Sequence, residues 1–326
     1  MLLICYGTRP EYLKVKPLIE EMSGRMEFRT LFTGQHVDLV DEKADFEIDI
    51  KEGPYRLNSL VSSIMDSFDF KKNQITKVLV QGDTTSAFTV ALSAFYHKIP
   101  VIHLEAGLRT YNLYEPYPEE ANRQMISRIT ALHLCPTTLA QEHLEIERAP
   151  GEMAIVGNTV LDNLTDVEVT TEKCVLVTMH RRENQHSIAE WFQEIDKVAA
   201  KYHDYEFLLP IHPNPAVRQY QHLFRHVKVV EPLNHAELVS YLAKCTFVIT
   251  DSGGVQEESA FLDKPCLVCR KETERTEGLD NFSLLCEEPS LLLQRVEELK
   301  RLPMTGPCPY GEGDSAKRIV KILEEM

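Results

Sequence analysis

Val78-Leu-Val-Gln-Gly-Asp-Thr-Thr85 joins a short β-branched, apolar run to a glycine, an acid and two hydroxyls. The run predicts a buried strand over Val78–Gln81, and the polar tetrapeptide predicts a turn at its carboxyl end. The pairing recurs: Leu2–Tyr6 runs into Gly7-Thr-Arg-Pro-Glu11, and Val101–Leu104 into Glu105-Ala-Gly-Leu-Arg-Thr110. Further strands are predicted over Phe28–Phe32, Leu132–Cys135 and Ala154–Val156. A second series follows at Cys174–Thr178, Phe207–Pro210, Val227–Val230, Thr246–Thr250 and Cys266–Cys269. There His180-Arg-Arg-Glu-Asn184, His212-Pro-Asn-Pro215 and Asp251-Ser-Gly-Gly254 close three of the strands. Longer helical patterns separate the runs, the alternation that builds βαβ units around parallel sheets.

A chain of 326 residues is long for one core and fits two α/β domains. The polar, strand-poor stretch from Asp162 to Lys173 is the expected linker, dividing an N-terminal domain, residues 1–161, from a second domain, residues 162–314. Ile319, Val320, Ile322 and Leu323 share one helical face over residues 315–326, so that segment is expected to dock on a core.

Composition narrows the function. A formal net charge of −15 excludes a broad nucleic-acid or anionic-membrane surface, so any anionic ligand needs a local cluster of cations. The apolar run Met1–Tyr6 is too short for a signal-peptide core, and nothing later reaches the roughly 18 apolar residues of a membrane span. The eight cysteines lack disulfide-scaffold or zinc-ribbon spacing, and Cys266-Leu-Val-Cys269 reads as strand core. The expected compartment is the reducing cytoplasm. With neither a full Gly-x-Gly-x-x-Gly fingerprint nor a Walker motif, nicotinamide and ATP chemistry are disfavoured.

Open parallel sheets bind ligands outside the carboxyl ends of their strands. Six polar motifs at strand ends, three in each half, therefore predict an active site in one cleft between two domains. Singly, Gly7 and Gly82 read as turn glycines, and Arg9 and Lys14 as charges at a helix start. Glu119, opening Glu119-Glu-Ala-Asn-Arg123, reads alone as a first-turn acid that suits the helix dipole. Together, Asp83, Glu105 and Glu119 with Arg109, Arg123, Arg181 and Arg182 suit proton transfer at carbon beside an anionic leaving group. Asp251-Ser-Gly-Gly254 before a helix lets a phosphate approach backbone N–H groups, with Glu258 one turn on, suited to ribose hydroxyls.

These motifs, in order, resemble the non-hydrolysing UDP-N-acetylglucosamine 2-epimerases. The matching text also includes Thr33-Gly-Gln-His36, His103-Leu-Glu-Ala-Gly-Leu-Arg109, Gly157-Asn-Thr-Val160, Thr178-Met-His-Arg-Arg-Glu-Asn184, Asp251-Ser-Gly-Gly-Val-Gln-Glu-Glu258 and Thr273-Glu-Arg275. The resemblance implies two Rossmann-like domains, glycosyltransferase-B-like, with the last helix packing back on the first. It implies a soluble homodimeric isomerase of bacterial surface-polysaccharide precursors that needs no cofactor and no metal. C2 of UDP-N-acetylglucosamine would lose its proton as UDP leaves, giving a 2-acetamidoglucal, and re-addition would give UDP-N-acetylmannosamine.

Carried over residue by residue, Asp83, Glu105 and Glu119 are the acid/base candidates, with their division of labour open. His180 and Arg9 would stabilise the departing diphosphate; Ser252, Gly253, Gly254 and Glu258 would hold phosphate and ribose. Lys14, Arg123, His212 and Arg275 are expected around the substrate, and Gln35 and His36 at a neighbouring substrate-activation site. The chain departs from the family pattern in its short length, the compressed region after His36, Tyr12 and Thr276. Three alternatives stand beside this reading: a hydrolysing epimerase releasing N-acetylmannosamine and UDP, a glycosyltransferase of the same fold, and an inactive nucleotide-sugar-binding protein.

Overall fold

The computed structural model describes residues 1–35, 43–51 and 53–326; His36 lies outside the described residues. The chain divides into two compact units: residues 1–163 with 311–326, and residues 164–310.

Among the described residues, the first unit carries β1 (Leu2–Tyr6), β2 (Phe28–Phe32), β3 (Phe46–Glu47), β4 (Lys77–Gln81), β5 (Val101–Leu104), β6 (Leu132–Cys135) and β7 (Glu152–Ile155). They form one parallel sheet in the order β3-β2-β1-β4-β5-β6-β7. Its helices are α1 (Arg9–Met22), α2 (Arg56–Ser67), α3 (Thr85–Tyr96), α4 (Glu119–Ser127), α5 (Thr138–Ile146) and, from the end of the chain, the last helix, Ser315–Glu324.

Side chains alternate across a strand, so β1 serves two cores. Leu2, Ile4 and Tyr6 pack with Val15, Leu18 and Met22 of α1 and with Ile319, Val320 and Leu323 of the last helix. Leu3 and Cys5 pack on the other face with Leu60 and Ile64 of α2 and Ala87, Val90 and Ala91 of α3. A strand buried on both sides reads as a nearly continuous apolar run, as β1 does, while β5 carries one polar residue, the buried His103. The last helix is tied down from a distance: the Asp162 carboxylate accepts from Ser315 N at 3.1 Å and Ala316 N at 2.7 Å.

The second unit pairs β8 (Cys174–Thr178), β9 (Glu206–Pro210), β10 (Val227–Val230), β11 (Phe247–Thr250), β12 (Cys266–Val268) and β13 (Ser283–Leu285) in the order β10-β9-β8-β11-β12-β13, again parallel. Its helices are α6 (Ile188–Lys201), α7 (Pro215–Arg218), α8 (His235–Lys244), α9 (Gly253–Phe261) and α10 (Leu292–Leu299), which makes the last helix of the chain α11. Trp191, Phe192 and Ile195 of α6 and Val296 and Leu299 of α10 cover Val175 and Val177.

Two strands escape the sequence pattern. Phe46–Glu47 is a two-residue edge and Ser283–Leu285 a three-residue one, too short for alternation to register. The seventh strand starts two residues before the expected Ala154, because an edge strand tolerates the exposed Glu152.

In both sheets the strand order reverses between the unit's first strand and its fourth, β1 beside β4 and β8 beside β11. Connections that leave to opposite sides open a crevice at that switch point, where open α/β sheets bind ligands.

Candidate functional site

In the first unit, the switch point joins the turns after β1 and β4. Thr8 caps α1, its hydroxyl accepting from Glu11 N, and Thr84 caps α3 by accepting from Ala87 N at 3.0 Å. Between these turns lies the buried Glu11 carboxylate, which accepts from Gly7 N at 3.0 Å, Thr8 Oγ1 at 2.8 Å and Thr84 Oγ1 at 2.7 Å. Burial, chiefly, raises its pKa from 4.5 to about 7, with the nearby Asp83 charge adding to the rise and the hydrogen bonds from Thr84, Thr8 and Gly7 opposing it. Arg9, two residues before it, is half-buried at the start of α1.

Asp83 follows Gly82, whose φ of +67° suits a residue without Cβ. Arg123 of α4 holds the Asp83 carboxylate from two nitrogens, Nε at 2.8 Å and Nη2 at 2.6 Å from Oδ2. The backbone around Asp83 is fixed as well: Gly82 O bonds His103 Nε2 at 2.7 Å, and Asp83 O accepts from Asn122 Nδ2 at 2.8 Å. Burial, the largest influence, lowers the His103 pKa to about 3, so its ring is neutral near pH 7.

Glu105, first residue after β5, adopts the left-handed region at φ +65°. A non-glycine residue is uncommon there, and the hydrogen bonds to its carboxylate hold it in place. Lys14 Nζ sits 2.6 Å from both Glu105 oxygens, Gln81 Nε2 also donates to it, and Asn158 Nδ2 is 3.4 Å away. Lys14 thus arrives from α1, Gln81 from β4 and Asn158 from beyond β7, so one carboxylate gathers three parts of the sheet's carboxyl edge.

Glu119 opens α4 and is half-buried. Its neighbour Glu120 is the fully buried acid: it accepts from Thr110 N at 3.0 Å, Tyr111 N at 3.1 Å, Gln124 Nε2 at 2.9 Å and Arg123 Nη1 at 3.1 Å. Sequence reasoning singled out Glu119 and missed the organising role of Glu120, since adjacent glutamates look alike until burial separates them. Arg109 is engaged elsewhere, with Nε 2.7 Å and Nη2 3.0 Å from Glu147 and a further bond to Ser127. Gln35 closes the edge, its Oε1 accepting from Ser86 N at 3.1 Å and Ser86 Oγ at 2.8 Å.

In the second unit, Asp251 is completely buried at the end of β11 and is the hub of the switch point. It accepts from His180 N at 3.0 Å, Arg181 N at 2.8 Å and Asn184 Nδ2 at 3.1 Å, so it shapes the turn after β8. His180 Nδ1 lies 3.3 Å from Asp251 Oδ1, and its ring stacks on His212 at 5.6 Å between centroids and 13° between planes. Burial, outweighing the Asp251 charge, lowers the His180 pKa, and His212 is lowered by burial and by His180.

Ser252 precedes α9, and its side chain accepts no N–H from that helix. A Cβ on Gly253 would lie 2.4 Å from Arg275 Nη1, so this glycine lets the guanidinium pack on the backbone, whereas at Gly254 the nearest atom is 3.9 Å away. The helix start thus combines its dipole, its first-turn N–H groups and open space at Gly254, the ingredients of an anion site. Arg275 is buried, donating Nε to Glu257 at 2.6 Å and Nη1 to Glu274, so it braces the site. Glu258 is buried on α9 with His235 Nε2 2.8 Å from its Oε1. Glu11, Glu120, Asp251 and His235 thus organise site residues without having been picked out in the sequence. A carboxylic acid inside a strand-end motif is the signal that Glu11 and Asp251 gave, and Glu120 gave that of an acid at a helix start.

Among the described residues no group of three or more His, Cys, Asp or Glu side chains could hold a metal, and no helix is long and apolar enough to cross a membrane.

The family model described as UDP-N-acetylglucosamine 2-epimerase matches residues 20–324. The UDP-N-acetylglucosamine 2-epimerase of Bacillus subtilis is 36% identical over 357 residues, covering 98% of this chain and 93% of the relative. The solved structure of UDP-GlcNAc 2-epimerase from Neisseria meningitidis, bound to UDP-GlcNAc, is 33% identical with a TM-score of 0.89 and full coverage of both chains at 100%. MurG of Acinetobacter baumannii, 11% identical at a TM-score of 0.60 over 100% of this chain and 99% of that one, shares the fold alone. Two parallel-sheet units of the glycosyltransferase-B-like class, ordered strand-end motifs and a match along nearly the whole length lead to one conclusion: the chain belongs to the UDP-N-acetylglucosamine 2-epimerase family.

Proposed function

We propose that the protein interconverts UDP-N-acetylglucosamine and UDP-N-acetylmannosamine by removing the C2 proton as UDP leaves, giving a 2-acetamidoglucal, and then returning UDP to C1 and a proton to C2 with the opposite C2 configuration. The observation that carries this reading is the pair of carboxylates at the first unit's strand ends, Asp83 held by Arg123 and Glu105 held by Lys14. Carbon-acid chemistry needs such groups at fixed positions beside cations that offset the negative charge of substrate and intermediate. Glu119 completes the acid set, as the family resemblance implies.

The nucleotide half falls to the second unit's residues. Ser252, Gly253 and Gly254 would receive the diphosphate at the start of α9, and Glu258, steadied by His235, would accept from the ribose hydroxyls. His180, stacked on His212, would donate to the diphosphate as charge develops on it, and Arg9 would add a cation. Lys14, Arg123 and Arg275 act by fixing the carboxylates they touch. No residue in this scheme needs a metal or a nicotinamide. A homodimer in the cytoplasm is the setting that the family resemblance supports, and light scattering tests the first half of that statement.

Incubation with UDP-N-acetylglucosamine in deuterium oxide tests the reading. Product and recovered substrate should both carry deuterium at C2, because the proton returned need not be the one removed. Free N-acetylmannosamine with stoichiometric UDP would establish the hydrolysing reading instead, and epimerised product without solvent deuterium would falsify elimination.

A further inference from the structure

Asp83 is held from several directions, and one of its fixings has no part in the chemistry described above. Its carboxylate is met by Arg123, its carbonyl by Asn122, and the preceding carbonyl by His103. Next along the chain is Thr84, whose hydroxyl accepts from Ala87 N at 3.0 Å and donates to Glu11 Oε1 at 2.7 Å, across 73 residues of sequence. Glu11 Oε2 meanwhile accepts from Gly7 N and Thr8 Oγ1, at the turn that leads into Arg9.

We infer that Glu11 is a positioning residue for the proposed reaction: through Thr84 it locks the turn that carries Asp83 to the turn that carries Arg9. The inference rests on the reading of Asp83 as a proton-transferring group. Glu11 is 3% exposed, buried too deep to meet substrate as a surface carboxylate would, and among the described residues no cation pairs with it. Lys14, one turn along α1, is turned to Glu105 instead. The groups facing Glu11 are Asp83 from the β4–α3 turn and the Cys5 thiol from β1, whose pKa burial and then Glu11 raise well above its ordinary value. A buried carboxylate satisfied by one backbone N–H and two hydroxyls, and by no cation, is a hub whose geometry is its purpose. If a simple helix-start acid were all that α1 required, an exposed first-turn glutamate would serve equally well at no burial cost.

The test uses Glu11→Gln, Thr84→Val and Thr84→Ser in the full chain. With wild type competent in C2 exchange, Thr84→Val should lower kcat about 10- to 100-fold, the scale of a small misplacement at a reacting centre, with KM little changed. Thr84→Ser, which keeps the hydroxyl, should restore it. Glu11→Gln, able to accept with one end only, should lower kcat in the same direction, and the double variant Glu11→Gln with Thr84→Val should cost no more than the worse single one, because both break one link. UDP affinity, carried in the proposed scheme mainly by the second unit with Arg9 as one added cation, should change far less than kcat. A direct readout covers the case in which wild type shows no turnover. In protein carrying 13C-labelled aspartate carboxyls, the Asp83 signal, assigned by its loss in Asp83→Asn, should shift in Thr84→Val and in Glu11→Gln and return in Thr84→Ser. An inactive wild type with those shifts present would remove the proposed reaction and leave the link standing. An Asp83 signal unmoved in both variants, or singles whose effects on kcat simply multiply, would overturn the inference.

Discussion

Each unit buries one acid at its switch point, Glu11 in the first and Asp251 in the second, and the two are satisfied differently. Asp251 takes consecutive backbone N–H groups from His180 and Arg181 and an amide from Asn184. Glu11 takes one backbone N–H and two hydroxyls. The first arrangement moulds a loop and aims its N–H groups inward, so the free polarity left at that crevice belongs to histidines and a helix start. The second leaves the neighbouring strand ends to further acids, each braced by its own cation, Arg123 on Asp83 and Lys14 on Glu105. In the proposed scheme, one fold repeated twice supplies an acid–base edge and an anion-binding edge.

The comparison breaks most sharply where a carboxylate is exchanged for its amide. Asp83→Asn, Glu105→Gln and Glu119→Gln each keep shape and remove proton transfer, so C2 deuterium exchange should fall about 10²–10⁴-fold while UDP still raises the thermal midpoint. Loss of UDP protection together with exchange would mean that the two edges do not have separate duties. His180→Ala should leave the acids intact and impair departure of the diphosphate, with a loss near 10²–10³-fold that is seen in single-turnover release of UDP.

Glu11 gives a pH signature of its own. Its carboxyl holds its proton more tightly in the folded chain, about 7 against an ordinary 4.5. A raised value means that this group's contribution is fully present below pH 4.5 and is lost as pH climbs through 7, about 3 kcal/mol in all. Denaturant unfolding of Glu11→Gln should therefore lack that slope and match or exceed wild type at pH 8. A slope retained in the variant would assign the pH dependence elsewhere. Gly253→Ala should cost about 1–3 kcal/mol, because its methyl would meet the Arg275 guanidinium, whereas Gly254→Ala should be tolerated in the free protein and weaken UDP binding. The smallest effect is a fraction of a proton: with His180 lowered by burial, a bound diphosphate should draw a proton onto its ring near pH 6.5, read as buffer-dependent heat in UDP titrations.

The chain by itself determined the layout. Strands buried on both faces are largely apolar, so Leu2–Tyr6, Val101–Leu104, Leu132–Cys135 and Cys174–Thr178, which carry His103, His133 and Thr178 as their polar residues, are the strands of the folded protein at the residues the pattern gives. Edge segments such as Phe46–Glu47 and Ser283–Leu285 are too short to carry a period and were decided by pairing with β2 and β12. Local sequence likewise places acids, glycines and histidines at strand ends, because polar residues stop apolar runs. It does not determine which of them meet. Glu119 and Glu120 are neighbours in one helix turn, and only packing makes the second the buried partner of Arg123. Arg109 stands in the same motif as Glu105 yet reaches Glu147, while Lys14 comes from 91 residues away to take Glu105. Glu11 reads as an ordinary helix-start acid until the sheet brings Thr84 against it. Hydrophobic periodicity is a property of neighbours along the chain, whereas charge pairing and carboxyl burial depend on distances that exist only once strands from distant parts of the sequence lie side by side.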